Sequence, residues 1–96
     1  MAKRKRGPIS KRIRILCRRL LRCEISDDAF KEEIKEILDK YGSSGYVLQG
    51  IGLATAKWIE GEDDYKKERV WRLLSEVDIR IKELYERWKE IMFNNP

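Results

Sequence analysis

The chain has 96 residues, with 22 lysines and arginines against 17 aspartates and glutamates, no histidine and two cysteines. That length supports one core rather than two, and the missing histidine removes the commonest general base near neutral pH and the commonest metal ligand. Cys17 and Cys23 are too few for a four-cysteine zinc site or a disulfide-stapled scaffold, so a reducing intracellular setting is expected, with no cofactor and no metal.

The net charge of +5 conceals a segregation: residues 1–23 hold ten basic side chains and no acidic one, whereas residues 24–96 hold twelve basic and seventeen acidic. A basic arm of +10 is therefore joined to an acidic body of −5. A polyanion responds to the local field, and phosphate relieves the mutual repulsion of tethered cations, so nucleic acid is the leading partner class. Exposed basic residues also serve solubility alone, but a polarity this sharp weighs against that plainer reading.

Residues 1–8 carry too little apolar surface to fold against anything and end in Gly7-Pro8, which predicts a disordered basic tail. Residues 9–96 then form a single helical domain. Ser10 is a plausible N-cap for a first helix reaching about Cys23, although the alternation Ile13, Ile15, Cys17 leaves a strand as the alternative. On a helical wheel Ile13, Leu16, Cys17, Leu20, Leu21 and Cys23 gather on one side, and Arg12, Arg14, Arg18, Arg19 and Arg22 on the other. Ile15 alone falls among the basic residues.

A second helix is expected after Ser26, with Asp27 and Asp28 at its positive end, Phe30, Ile34, Ile37, Leu38 and Tyr41 facing inward, and Gly42 as its stop. Tyr46 to Glu60 reads as a third, central helix with Val47, Ile51, Ala54 and Trp58 along its seam and Leu48, Leu53, Ala56 and Ile59 widening the apolar surface, so that it is contacted on more than one side. Gly50 and Gly52 weaken it by about 1 kcal/mol each relative to alanine, but permit close helix approach. They lack the third glycine and the βαβ setting of a dinucleotide loop. Asp63 and Asp64 read as helix caps rather than a cation site.

The last segment shows the clearest period. Val70, Leu74, Val77, Ile81, Leu84, Trp88 and Ile91 recur at alternating spacings of four and three, the seam of a coiled coil, broadened by Leu73, Tyr85 and Met92. If residues 62–93 form one helix it extends about 48 Å, too long for so small a globule to cover. Trp71, Ile81, Leu84, Trp88, Ile91 and Phe93 are accordingly candidate protein-interface residues, for a protein partner or a second copy; packing within the same chain is the alternative for Trp71 and Phe93. Six acid–base pairs spaced four apart (62–66, 63–67, 68–72, 76–80, 78–82, 83–87) would support the exposed face, and the Lys, Arg, Glu and Ile usage suits a thermophile.

The expected fold is thus all-α: a small bundle of three or four helices with a long C-terminal amphipathic helix and a flexible basic tail. The expected function is non-enzymatic binding of DNA or RNA through backbone contacts, as an accessory protein within a larger assembly. Lys3, Arg4, Lys5 and Arg6 of the tail would act with Lys11, Arg12, Arg14, Arg18, Arg19 and Arg22 of the first helix. The aromatic residues sit mainly in the acidic body, which argues against a basic single-strand channel lined with stacking rings. The alternative function is a protein-interaction or scaffolding subunit working through the C-terminal helix. No apolar stretch approaches membrane-spanning length and no export signal is read, so the expectation is a cytoplasmic location, the nucleoid included, without integral membrane association.

Overall fold

Gly7–Leu21 form helix α1, which buries Ile13, Leu16, Cys17 and Leu20 along one stripe and leaves Lys11, Ile15, Arg18 and Arg19 in solvent. The strand alternative is thereby removed. In this computed structural model the backbone is described for residues 7–94, and side chains for residues 9–87 and 90. The helix starts three residues before the expected Ser10 cap, with Pro8 in its first turn, where a missing N–H leaves nothing unpaired. The remainder of the expected tail, residues 1–6, lies outside the described residues.

The end of α1 departs from expectation in an instructive way. Cys23 does not continue the apolar stripe. It is exposed and adopts the left-handed conformation, with φ at 61°. Its N–H donates to the Leu20 carbonyl at 3.0 Å, and the Glu24 N–H donates to the Arg19 carbonyl at 2.7 Å, the paired bonds of a Schellman cap. Glycine normally occupies this position because a Cβ is strained there. Cys23→Gly is therefore expected to raise the unfolding free energy by about 1 kcal/mol, read as a higher urea midpoint at an unchanged m-value.

Helix α2 (Asp27–Tyr41) is built as its sequence predicts: Ser26 Oγ accepts from the Ala29 N–H at 3.1 Å, Phe30, Ile34 and Ile37 are buried, and Gly42, at φ 91°, donates its N–H to Leu38. Helix α3 (Gly45–Ile59) is capped by Ser44. Leu48, Ile51, Gly52, Thr55 and Ile59 face inward, so burial centres on the expected flank of Leu48 and Ile59 rather than on the seam, with Val47 and Ala54 half-buried and Trp58 37% exposed. Only Gly52 of the two glycines marks a close approach. A Cβ placed there would lie 3.3 Å from the Ile81 carbonyl oxygen, whereas one on Gly50 would meet nothing within 4 Å.

The expected long C-terminal helix is divided. Helix α4 (Asp64–Val77), capped by Asp63, buries Val70, Leu73 and Leu74, and helix α5 (Ile79–Asn94) follows after the single extended residue Asp78. Asp78 turns the chain by closing one helix and opening the next. Its N–H donates to the Leu74 carbonyl, while its Oδ1 accepts from the backbone N–H and Nε of Arg80, both at 3.0 Å, and its Oδ2 from Arg80 Nη2 at 2.7 Å. Periodicity is blind to this break because the apolar spacing runs through it without a fault. Nor do the expected i,i+4 pairs carry the region: among the described residues only Glu62–Lys66 closes, at 3.6 Å.

Those bonds hold the Asp78 carboxyl below its usual pKa, the Arg80 guanidinium being the main cause and partial burial opposing it. A carboxyl whose folded pKa lies below its unfolded one stabilises the fold fully above about pH 4, and that contribution is lost as pH falls through the folded value. Asp78→Asn keeps a capping oxygen without the charge and should flatten the acid decline of stability. Asp78→Ala should cost about 1 kcal/mol at neutral pH. Urea unfolding across the acid range reads both.

Five principal helix pairings, α1 with α3, α3 with α5, α5 with α4, α4 with α2 and α2 with α1, close a ring around one core. The protein is thus an all-α, compact five-helix bundle, flattened to 38 × 36 × 22 Å. Ion pairs tie α2 to both neighbours: Arg12 to Glu33 at 2.6 Å, Arg69 to Asp27 at 2.6 Å and Lys31 to Glu76 at 2.8 Å. In the last of these the lysine and carboxylate each favour the other's charged form, raising one pKa and lowering the other. Among the described residues no helix is long and apolar enough to cross a membrane.

Candidate nucleic-acid interface

Because α1 gives its inner stripe to the core, its remaining circumference decides what the basic residues can do. Lys11, Arg18 and Arg22 are exposed and make no ion pair among the described residues, and Ile15 lies between them at 37% exposure. Lys11 to Arg22 spans about 16 Å of helix, roughly the axial length of five phosphates on one strand of a duplex. Arg19, also exposed, reaches toward Glu24 at 3.9 Å.

The two flanks of this stripe are tied to the protein itself. Arg12, expected to contact phosphate, is instead engaged by Glu33 at 2.6 Å and by Glu36 at 3.5 Å, and it orients α1 on α2. On the opposite flank the Arg14 guanidinium lies over the Trp58 ring, 5.7 Å from its centroid, and Lys57 Nζ lies 5.2 Å from the same ring. Arg14 Nε is fully buried and has no hydrogen-bond partner among the described residues. Between α1 and the end of α3 runs a cleft of about 260 Å³ lined by Arg14, Arg18, Leu21, Arg22, Trp58 and Glu62. Lys3, Arg4, Lys5 and Arg6 lie outside the described residues.

Trp58 is the residue that sequence reasoning assigned to the wrong place. Its position in the apolar period suggested core, but a tryptophan beside a lysine in the last turn of a helix is well suited to the edge of one, because its large ring is seldom wholly covered. The fold then brings it from the acidic body onto the basic helix, and the sequence-level separation of aromatics from cations does not survive at this point.

The thiols divide in the same way. Burial pushes the Cys17 thiol up to about 12, and the Thr55 hydroxyl, which faces it without completing a hydrogen bond, opposes the rise. Cys17 is therefore inert near neutral pH, whereas Cys23 is exposed. Among the described residues no group of three or more cysteine or acidic side chains is placed to hold a metal ion.

Three of the six candidate protein-interface residues pack within the chain itself. Ile81 is fully buried, Leu84 packs half-buried against the core, and Trp71 stacks on Tyr85 with centroids 4.5 Å apart and planes 9° from parallel. That pair borders a wider groove between α3, α4 and α5, whose rim mixes Lys57, Lys67 and Lys82 with Glu60, Asp64, Glu68 and Glu86, so it carries no single sign of charge. Burial, with Glu60 and Glu86 adding to it, pushes the Tyr85 phenol upward. The side chains of Trp88, Ile91 and Phe93 lie outside the described residues. No protein-family model, curated protein or solved structure matches the chain.

Proposed function

We propose that this protein is a non-enzymatic nucleic-acid-binding accessory protein that grips phosphates with the outer face of α1 and its basic N-terminal arm, as part of a larger assembly. The observation that carries this reading is the stripe of Lys11, Arg18 and Arg22, exposed and without ion pairs among the described residues, on a helix locked in place by its buried opposite face. A guanidinium forks onto phosphate oxygens and an ammonium acts as a mobile point charge, so this face binds backbone without reading sequence.

The test keeps the chain whole, because removing α1 would also remove Ile13, Leu16, Cys17 and Leu20 from the core. The intact protein and a Lys11→Gln/Arg18→Gln/Arg22→Gln variant are titrated against duplex DNA over a salt series. The wild type should bind with a steep salt dependence, and the variant should bind more weakly, with its log K against log salt slope shallower by about 2 to 3. An unchanged slope, with the variant still folded, rules the mechanism out.

A further inference from the structure

We propose that the cleft between α1 and the end of α3 is a subsite for one unpaired nucleotide, so that the protein prefers single-stranded nucleic acid over duplex. This rests on the phosphate-binding reading above and assigns it a substrate class. Three observations converge on the cleft. Trp58 is 37% exposed and lines the cleft, and the Arg14 guanidinium, lying over its ring 5.7 Å from the centroid, is a second planar group on which a base can stack. Arg18, one turn further along α1, and Arg22, just past its C-terminal end, line the same cleft. Arg14 Nε is buried and has no hydrogen-bond acceptor among the described residues, and it gains one only if the side chain turns toward an oxygen held in the cleft.

The size of the cleft narrows the ligand. At about 260 Å³ it falls just below the roughly 300 Å³ at which ligand pockets begin, which suits a single ring or phosphate group rather than a whole dinucleotide. Its charge is suited to an anion, with three arginines against the one carboxylate of Glu62, which Lys66 holds at 3.6 Å. Lys57 also lies against the ring, but it is exposed on a flexible stem, so an entering base displaces it to the rim, where its charge still faces phosphate. Duplex DNA presents phosphates to Arg18 and Arg22 while keeping its bases stacked on one another, and so cannot use the ring. A single strand uses both.

The experiment measures binding of the intact chain and its variants to an acidic peptide and to three nucleic-acid ligands of equal phosphate count: a homopyrimidine strand, a duplex of half its length and an abasic strand. Trp58→Ala should weaken binding to the homopyrimidine strand by about tenfold, the scale of one lost base–aromatic stack, and leave duplex and abasic binding within about twofold. Trp58→Phe, which retains a ring, should recover part of the loss. Trp58→Leu retains bulk without a π face and serves if the alanine variant is unstable. Undiminished single-strand binding in Trp58→Leu, or equal weakening on all three ligands, overturns the subsite while leaving the phosphate grip intact. Tighter binding to an acidic peptide than to the homopyrimidine strand overturns it in favour of a protein ligand, and no binding to any strand overturns it together with the proposed function.

Discussion

Replacing Phe30 by alanine is expected to lower the unfolding free energy by about 3 to 5 kcal/mol, the largest loss foreseen for a single truncation in this chain. Phe30 is fully buried in the first full turn of α2, one residue after the amide that Ser26 caps, and it belongs to the single core shared by the ring of helices. Its removal forfeits both the transfer of an aromatic ring and the contacts around the space it leaves. A small domain usually has about 5 to 15 kcal/mol in total, so the variant should sit near the limit of folding. Thermal melting would fall by roughly 4 to 8 °C for each kcal/mol lost. Tyr46→Ala, at a residue 86% exposed, is the matching control and should stay within about 0.5 kcal/mol of the parent. A midpoint for Phe30→Ala close to the parent's would show that the core does not depend on this ring.

The second large effect is expected at Gly52. The methyl-bearing Cβ of valine would enter a space bounded by the Ile81 carbonyl at 3.3 Å, Tyr85 Cβ at 3.5 Å and Ile81 Cγ2 at 3.6 Å, all on α5. Backbone cannot rotate aside as a flexible side chain does, so Gly52→Val must separate α3 from α5, at a cost of about 1 to 3 kcal/mol from overpacking. Gly50→Ala, two residues away on the exposed side with nothing within 4 Å, should go the other way and gain about 0.8 to 1 kcal/mol from helix propensity. Opposite signs in parallel urea titrations establish that Gly52 alone is the contact glycine. If both substitutions stabilise, the close α3–α5 approach is wrong.

Local features were readable from the sequence wherever a residue's chemistry settles its own backbone. Ser26 and Gly42 delimit α2 because a hydroxyl caps amides and glycine tolerates φ 91°. Asp63 likewise opens α4 as read. What was not readable depends on partners distant in the chain. Asp78 fits the i,i+4 pattern with Lys82 as well as it fits a cap, and only the packing of two helices side by side makes the break favourable. The Schellman cap at Cys23 lacks the glycine by which such turns are recognised. In the candidate interface the exposed Arg18 and Arg22 follow from the helical wheel. The diversion of Arg12 onto Glu33, 21 residues away, and the arrival of Trp58 beside Arg14 follow from ring closure, which no local count of charge contains.

The contrast between the two thiols has a practical consequence for measuring the motions of the fold. Cys23 stands in solvent at the end of α1, while Cys17 is sealed under the same helix with its thiol pushed up to about 12. A thiol reagent in excess will mark the first site at once and reach the second only when α1 lifts from α3. The lag between one and two labels per molecule, followed by mass, is therefore a clock for the opening of that seam under native conditions. A ligand that clamps α1 against α3 would slow the clock without touching either sulfur.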